Sequence, residues 1–301
     1  MIQPFGDILW NWNVKHPCIE TLKLHPNVVK LVSEGKSYYL KKREDSAFEN
    51  RMEEYYLTTY LLANRLNVES PLLTISHQPF VKKGQQFYSL YEKIEGEPLQ
   101  EYSLSYLTNA GTSLANLHGL LKNYHCHKEI KGWHIDQHIR QWLNELGLTP
   151  IGKWARDILL RLDEWTILYN QLPYQLIHSD YNRGNIMVKE GVVSGIIDFE
   201  RIRVAPRVAD IGYFLTGMLK DRIKKNREDS INYIGSFLRG YDQLSTLTSE
   251  EKELLPLLIV TFLLQYVFFY HQCGYSEVGS TYISFINELV QSSEYDHAFH
   301  V

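Results

Sequence analysis

The sequence predicts an α+β fold with two lobes, a small β-rich N-terminal lobe over residues 1–95 and a larger, mainly helical C-terminal lobe over residues 96–301. Three observations support this prediction: strand-like runs dominate the first third of the chain, helical segments dominate the rest, and a short connector, EKIEGEP, lies between them. With 301 residues, 44% of them hydrophobic, the chain can bury an extensive core. We therefore expect a cleft between the two lobes.

The N-terminal lobe is predicted to be a small sheet with one helix. The runs NVVKLVS and SYYLKK are typical of strands and flank the turn EGK. A helix follows in AFENRMEEYYLTTYLLANRL, and QFYSLYEKI is typical of a further strand. The helix is thus expected to connect two strands of the same sheet.

The C-terminal lobe is predicted to be helical apart from one hairpin. Helices are expected in SYLTNAGTSLANLHGLL, around IDQHIRQWLNEL, in WARDILLRLDEWTILYNQL, from Ser230 to Tyr241 and in the last two segments. The only strand-like piece in this lobe is the pair NIMV and VVSGIID, which the turn KEG joins.

One apolar run, LLPLLIVTFLLQYVFFY at residues 254–270, is as long as the shortest membrane spans of about 17 residues. It contains Pro256 and Gln265, however, and Thr248 with Glu251 forms the capping box of an ordinary helix. We predict a buried helix of a soluble protein, with a membrane span as the alternative.

Composition and charge argue against several classes of protein. The net charge of −4 provides no broad basic field for nucleic acid. Three widely spaced cysteines do not predict a disulfide framework, and HCH at residues 125–127 lacks the second ligand pair of a zinc site. The first residues lack the basic start and apolar core of a signal peptide. We expect a cytoplasmic protein without a nucleic-acid or membrane partner.

One short polar loop carries the chemistry that the sequence predicts. LIHSDYNRGNIMV places Asp180 at the crest of the loop and Asn185 five positions later, and the paired strand ends on Asp198. Phosphoryl transfer needs a carboxylate that orients and deprotonates the attacking hydroxyl, and oxygen ligands that hold magnesium against the phosphates. Asp180 would meet the first need. Asn185 and Asp198, which a hairpin brings to the same end, would meet the second, and His178 would brace the loop by a hydrogen bond.

These residues resemble a known family. HSDYNRGNIM, IIDFE and AD at residues 209–210 are similar to the HxDxxxxN and IDF signatures of the aminoglycoside phosphotransferase and choline kinase superfamily, relatives of the protein kinases. The resemblance covers most of the chain and implies a protein-kinase-like fold that uses ATP and Mg²⁺ to phosphorylate a hydroxyl of a small molecule. It implies that Asp180 is the catalytic residue, that Asn185 and Asp198 are metal ligands, and that Asp210 braces the loop.

The same resemblance implies nucleotide-binding residues in the N-terminal lobe. Lys41, in YYLKKR, falls where the family has a strand lysine or arginine for the α- and β-phosphates. We expect Glu54 to hold this lysine, because Glu54 shares a helical face with two leucines three and seven positions later. Glu53 and Glu49 are the alternatives.

YSLYEKIEG resembles the family's hinge, which implies that the backbones of Glu92 and Ile94 face adenine. LKLHPNVV stands where the family often has a glycine-containing phosphate loop, but it keeps only Asn27 of that pattern. ATP is the donor that the resemblance implies, and GTP is the alternative that this departure leaves open.

The acceptor is expected to be a small molecule, because only eleven residues, FERIRVAPRVA, separate Asp198 from Asp210. Residues 241–301 carry eight acidic residues against one base, Lys252. An acidic pocket there would favour an amine-bearing acceptor such as an aminoglycoside or an amino alcohol. The alternative is that Glu250 and its neighbours simply stabilise a helix N-terminus.

A second hypothesis is a non-catalytic kinase-like binding or structural protein, similar to spore-coat relatives in this superfamily. The glycine-free LKLHPNVV loop favours it, whereas the complete set of Asp180, Asn185 and Asp198 favours a kinase. The sequence makes no prediction of oligomeric state.

Overall fold

The computed structural model describes residues 5–22, 25–43, 48–160, 164–221 and 227–292. The elements of its N-terminal part are α1 (Gly6–Leu9), β1 (Cys18–Thr21), β2 (Val28–Ser33), β3 (Lys36–Arg43), α2 (Phe48–Ala63), β4 (Val81–Lys83) and β5 (Gln86–Glu92). The five strands form an antiparallel sheet in the order β1-β2-β3-β5-β4. The long helix α2 lies between β3 and β4 in the chain.

The C-terminal part is mainly helical, so the predicted α+β fold is confirmed. Its elements are β6 (Glu97–Pro98), α3 (Leu104–Asn123), α4 (Ile135–Leu146), α5 (Pro150–Leu160), α6 (Glu164–Gln171), β7 (Tyr174–Ile177), β8 (Ile186–Lys189), β9 (Val192–Ile196), β10 (Arg203–Pro206), α7 (Val208–Asp221), α8 (Arg227–Asp242), α9 (Ser249–Gln272) and α10 (Ser276–Gln291).

Two predicted hairpins have the same two-residue turn. Glu34 and Gly35 join β2 to β3 with φ values of 51° and 79°, and Glu190 and Gly191 join β8 to β9 with φ values of 51° and 86°. Positive φ at both central residues is the geometry of a type I′ turn, whose twist matches that of the flanking strands. Both pairs of strands therefore return antiparallel, β2 and β3 in a continuous register and β8 and β9 with one shift between Met187 and Val188.

The C-terminal lobe has three strands besides the β8–β9 hairpin, so the prediction that this hairpin was its only strand-like piece is wrong. β7 pairs antiparallel with β10, and β6 pairs with β8. These strands have two to four residues. Such short segments show no clear alternation in the sequence, and their pairing depends on the surrounding fold.

Helix α7 was not predicted, because two glycines weaken its helical pattern. Gly212 has a packing role: a Cβ there would lie 3.0 Å from the Cβ of Leu258 on α9, so glycine allows the two helices to approach closely. The other helical predictions are found, and the one over residues 154–172 corresponds to α5 and α6, with residues 161–163 outside the described part.

Two separate apolar cores hold the two lobes. A small cluster around Leu31, Leu40 and Leu90 lies under the N-terminal sheet. Leu57 and Leu61 of α2 belong instead to the large core of the helical lobe. Helix α2 is therefore anchored to the lobe below it as well as to the sheet.

Helix α9 lies in the large core. The capping box of Thr248 and Glu251 is present, as predicted. Among the described residues α9 is the one helix long and apolar enough to cross a membrane, but 61% of its most apolar 18-residue window is buried inside the fold. The other helices of the lobe thus cover most of the surface that a membrane would otherwise contact.

Candidate active site

Asp180 lies in the loop between β7 and β8, and one of its carboxylate oxygens accepts two hydrogen bonds. Asn182 Nδ2 donates to Asp180 Oδ1 at 2.9 Å, and the hydroxyl of Tyr213 donates to the same oxygen at 3.0 Å. Since both donors use Oδ1, the other oxygen can accept the proton of a hydroxyl. Tyr213 lies on α7, and the sequence analysis did not identify it.

A buried carboxylate, Asp210, supports this loop from below. It accepts the backbone N–H groups of His178 at 2.8 Å and Ser179 at 2.7 Å. It also contacts His118 Nε2 at 3.1 Å, and His118 Nδ1 contacts the Tyr241 hydroxyl at 2.7 Å. Two of the loop's backbone donors are therefore satisfied by one charged acceptor, which is a strong form of hydrogen bond. Asp210 thus binds the loop directly, and the role that the family resemblance implies for it stays a prediction.

The imidazole of His178 joins the loop to the strand that leads to Asp198. The N–H of Asp180 donates to His178 Nδ1 at 3.3 Å, and His178 Nε2 lies 3.0 Å from the carbonyl of Ile197. We assign the proton to Nε2, because Nδ1 accepts a hydrogen bond. His178 therefore contacts backbone on both sides and has a bracing position.

Asn185 and Asp198 lie next to each other across the hairpin. Ile197 N donates to the carbonyl of Asn185 at 3.0 Å, and Asn185 Nδ2 donates to the carbonyl of Asp180 at 2.9 Å. The side-chain oxygen of Asn185 remains for a ligand. One amide oxygen and one carboxylate fit Mg²⁺, which keeps several waters and phosphate oxygens around few protein ligands.

Lys41 is buried between two carboxylates. Its Nζ lies 2.5 Å from Glu69 Oε2 and 3.4 Å from Asp198 Oδ1. Burial would lower the pKa of Lys41, but these two charges outweigh burial and raise it. Burial would likewise raise the pKa of Asp198, but Lys41 and Arg43 hold it below its usual value. Lysine and aspartate are both charged at neutral pH.

The structure corrects the predicted partner of Lys41. Glu54 pairs with Arg51 at 2.5 Å and accepts the hydroxyl of Tyr91 at 2.7 Å. The reason is that its helical face turns towards the core of the helical lobe, where Arg51, one turn earlier, neutralises it.

The two alternative glutamates on α2 are also not the partner of Lys41. Glu53 binds the hydroxyl of Tyr124 at 2.8 Å and the N–H of His127 at 3.0 Å, and Glu49 is exposed. Glu69 follows α2 in the segment VESPLL, and its N–H donates to the carbonyl of Ile196 at 2.9 Å. No sequence periodicity marked it. The one feature of the sequence that could have indicated Glu69 is that it is a single acidic residue in an apolar segment.

The connector between the lobes holds Glu92 and Ile94. Glu92 ends β5, and its side chain pairs with Lys36 at the surface, with 2.9 Å between the charged atoms. The side chain of Ile94 packs on Gly195 of β9, where a Cβ would lie 2.9 Å from it. Both residues therefore lie at the junction of the lobes, and their backbone contact with adenine stays a prediction.

Tyr213 binds Asp180, and Tyr266, close enough to Tyr213 to raise its pKa, begins a stack with Tyr282 and Tyr270; we refer to these four rings as the aromatic wall. The ring of Tyr266 stacks on Tyr282 at 5.8 Å, and Tyr282 stacks on Tyr270 at 5.6 Å. Burial raises the pKa of Tyr213, and the charge of Asp180 raises it further. Burial and the charge of Asp221 raise the pKa of Tyr266, with a smaller effect from Asp180.

Three acidic residues near the C-terminus, Asp242, Glu250 and Glu251, make their contacts away from Asp180. Glu251 completes the capping box of α9 and binds Arg207 at 2.7 Å, and Glu250 lies in the same first turn. Asp242 Oδ1 accepts the N–H of Leu247 at 3.1 Å. Glu294 and Asp296 lie outside the described residues. The helix-terminus alternative accounts for Glu250 and Glu251, so the predicted acidic pocket is not formed by them.

Comparison with known proteins identifies relatives of this chain. Residues 23–252 match the model of the phosphotransferase enzyme family, APH. The chain is similar to the homoserine kinases of Polaromonas naphthalenivorans (strain CJ2), 32% identical over 90 residues, and Phenylobacterium zucineum (strain HLK1), 31% identical over 104 residues. These regions cover 30% and 35% of this chain and 28% and 30% of the two relatives, so the chain matches less than a third of the length of either kinase.

Solved structures share the fold over nearly the whole chain. The amicoumacin kinase hAmiN, in complex with AMP-PNP, Ca²⁺ and Ami, has a TM-score of 0.76 at 18% identity and covers 93% of this chain and 91% of its own. A microcompartment-associated aminopropanol kinase has a TM-score of 0.72 at 16% identity and covers 93% of each chain. An aminoglycoside phosphotransferase from Alicyclobacillus acidocaldarius has a TM-score of 0.71 at 15% identity and covers 98% and 96%. The predicted protein-kinase-like fold is confirmed.

Proposed function

Because this chain belongs to the phosphotransferase enzyme family, APH, we propose that it is a cytoplasmic small-molecule kinase that transfers the γ-phosphate of ATP, with Mg²⁺, to a hydroxyl group. The observation that carries the proposal is that the contacts of the loop and its hairpin bring Asp180, Asn185, Asp198 and Lys41 together. Each of the four has a part in phosphoryl transfer. Residues 1–95 form the nucleotide-binding lobe of this proposal.

Each side chain has a distinct role in the proposed reaction. Asp180 accepts the proton of the acceptor hydroxyl on Oδ2, while Asn182 and Tyr213 hold the carboxylate through Oδ1. Lys41 binds the α- and β-phosphates, and Glu69 fixes its position. Asn185 and Asp198 would hold Mg²⁺, which neutralises charge on the phosphates when bound.

We further propose an acceptor that carries an amine. The aromatic wall already holds a cation, since Lys220 Nζ lies 4.7 Å from the centroid of the Tyr266 ring. Asp221, which raises the pKa of Tyr266, lies nearby and pairs with Arg183 Nε at 3.2 Å. Three of the similar proteins, two homoserine kinases and one aminopropanol kinase, are named for amine-bearing alcohols, which supports the same class.

The test is ADP release by the purified full chain with ATP, Mg²⁺ and a panel of hydroxyl compounds. The panel pairs each amino alcohol, homoserine and aminoglycoside with the matching alcohol that lacks the amine. We expect turnover with at least one amine-bearing compound, none with its amine-free partner, and none in the Asp180→Asn variant. Turnover of the amine-free partners alone would contradict the acceptor class and leave the kinase proposal standing.

The non-catalytic alternative predicts a different result. A kinase should gain thermal stability from ATP with Mg²⁺, since a ligand that binds only the folded state stabilises it. A chain that gains no stability from the nucleotide and turns over none of the panel would be a binding or structural protein instead.

A further inference from the structure

A pocket lies between α2, residues 128–131 and residues 199–203. We refer to it as the α2 pocket. Its volume is about 530 Å³, within the range of small-molecule sites. Asp180 and Asn185 do not line it. The ring of Phe199, 4.8 Å from that of His178, closes it towards the catalytic loop.

The lining of this pocket is rich in cations. Six of the lining side chains are basic and four are glutamates; the basic ones are Arg43, Arg51, Lys128, Lys131, Arg201 and Arg203. Three of the glutamates already have partners, and for Glu54 and Glu200 these are arginines of the same lining, so four basic side chains remain against Glu53 and Glu129. Glu53 binds Tyr124 and His127, Glu54 binds Arg51 and Tyr91, and Glu200 binds Arg43.

The remaining charge in the pocket is therefore positive. Among the described residues, the ion pairs across the pocket use Arg43 and Arg51, and no carboxylate pairs with Lys131, Arg201 or Arg203. Lys131 and Arg203 are held side by side, because the N–H of Val204 donates to the carbonyl of Lys131 at 3.1 Å. Their backbones are thus adjacent, and the described residues show no ion pair to either side chain.

Arg51 provides a second, independent observation. It is only 6% exposed, it lines the pocket, and its Nε has no hydrogen-bond partner among the described residues. A buried guanidinium N–H without a partner is costly, and an oxygen atom of a bound ligand would satisfy it.

We propose that the α2 pocket binds the phosphate group of a small molecule, at a site separate from the phosphoryl-transfer site. Guanidinium groups bind phosphate through paired N–H bonds, and lysines add point charges. The site is connected to the cleft through Arg43, which contacts Glu200 and lies 3.7 Å from Asp198 Oδ1. A ligand bound here shares Arg43 with a proposed metal ligand.

The test measures binding of inorganic phosphate by calorimetry to the full chain, saturated with AMP-PNP and Mg²⁺ so that the transfer site is filled. We expect saturable binding to the wild type. The double variant Lys131→Gln with Arg203→Gln should bind phosphate about tenfold more weakly, because it loses two charged contacts. The matched variant Lys82→Gln with Lys153→Gln, which removes two exposed charges elsewhere, should bind within about twofold of the wild type.

Competing anions identify the chemical class of the ligand, and a single variant provides a test that does not depend on the folding of the double variant. Sulfate should compete with phosphate for the pocket. If acetate bound as tightly as phosphate, the pocket would be a carboxylate site and the assignment would be overturned. Glu129→Gln removes an exposed carboxylate from the lining and should tighten phosphate binding, which stays informative if the double variant fails to fold. Absence of saturable binding to the wild type, an equal loss in both double variants, or an unchanged affinity in Glu129→Gln would refute the proposal.

Discussion

The loop between β7 and β8 and the Lys41 centre meet at Asp198, yet different forces hold them. Hydrogen bonds from Asn182 and Tyr213 position Asp180, and backbone N–H groups join the loop to Asp210. Lys41 is held by charge, through carboxylates 28 and 157 residues away in the chain. Both sites thus depend on distant segments, but hydrogen bonds hold the loop and buried charges hold Lys41.

This difference predicts different consequences of mutation. A lost hydrogen bond between uncharged groups costs about 1 kcal/mol. A buried charge that loses its partner costs about 3–5 kcal/mol, because it stays in a medium that solvates it poorly. Changes in the loop should therefore affect mainly the chemical step, and changes around Lys41 should affect nucleotide binding and stability together.

The largest effect is expected for Asp180→Asn, which keeps the shape of the side chain and removes the proton acceptor. We expect kcat to fall by 10²-fold or more, on the order of a general-base loss. The Kd for ATP with Mg²⁺ and the midpoint of thermal unfolding should stay close to the wild type. Retention of more than about a tenth of kcat would contradict the role of Asp180.

The next largest effect is expected for Glu69→Gln, with Glu54→Gln as its matched variant. Glu69→Gln leaves Lys41 without its nearest charge, so we expect the KM for ATP to rise by about tenfold and the protein to lose stability. Glu54→Gln breaks the pair with Arg51 and should lower stability without changing this KM. If Glu54→Gln were the variant that raises the KM for ATP, the sequence-based partner of Lys41 would be right and the structural pairing wrong.

A smaller effect is expected for Tyr213→Phe, which removes one of the two donors to Asp180 Oδ1. We expect kcat to fall about fivefold, the equivalent of one hydrogen bond between positioned groups, with the KM for ATP unchanged. Tyr106→Phe on α3 is the matched control for loss of a tyrosine hydroxyl. A kcat equal to that of the wild type would show that Asn182 alone positions the base.

The smallest effect concerns pH. Since the folded-state pKa of Asp198 lies below the usual value of 3.8, its charge stabilises the fold above that pH, and this contribution is lost as the pH falls through the folded-state value. The difference in unfolding free energy between wild type and Asp198→Asn should thus be constant from pH 7 to about pH 5 and shrink below about pH 4. Urea unfolding at each pH measures it, and a difference that grows on acidification would contradict the depressed pKa.

The elements that the sequence predicted are those with local causes. The hairpin of β8 and β9 was predictable because a Glu-Gly turn separates two apolar runs. Helix α7 was missed because its glycines lower the helical signal and are explained only by contact with α9. Tyr213, which α7 carries to Asp180, was missed with it.

By itself, the sequence determined the two-lobe fold and the grouping of His178, Asp180, Asn185 and Asp198, because spacing within one loop and its hairpin brings them together. Asp210 and Tyr213, which hold this loop, come from α7. Only the tertiary structure decided which carboxylate meets Lys41. Glu49, Glu53, Glu54 and Glu69 are chemically alike, and the choice depends on which of them the packing of α2 and of the following segment brings within contact distance. Glu54 pairs with Arg51, and Glu53 binds Tyr124 and His127. The segment after α2 packs on β9 and so brings Glu69 to Lys41.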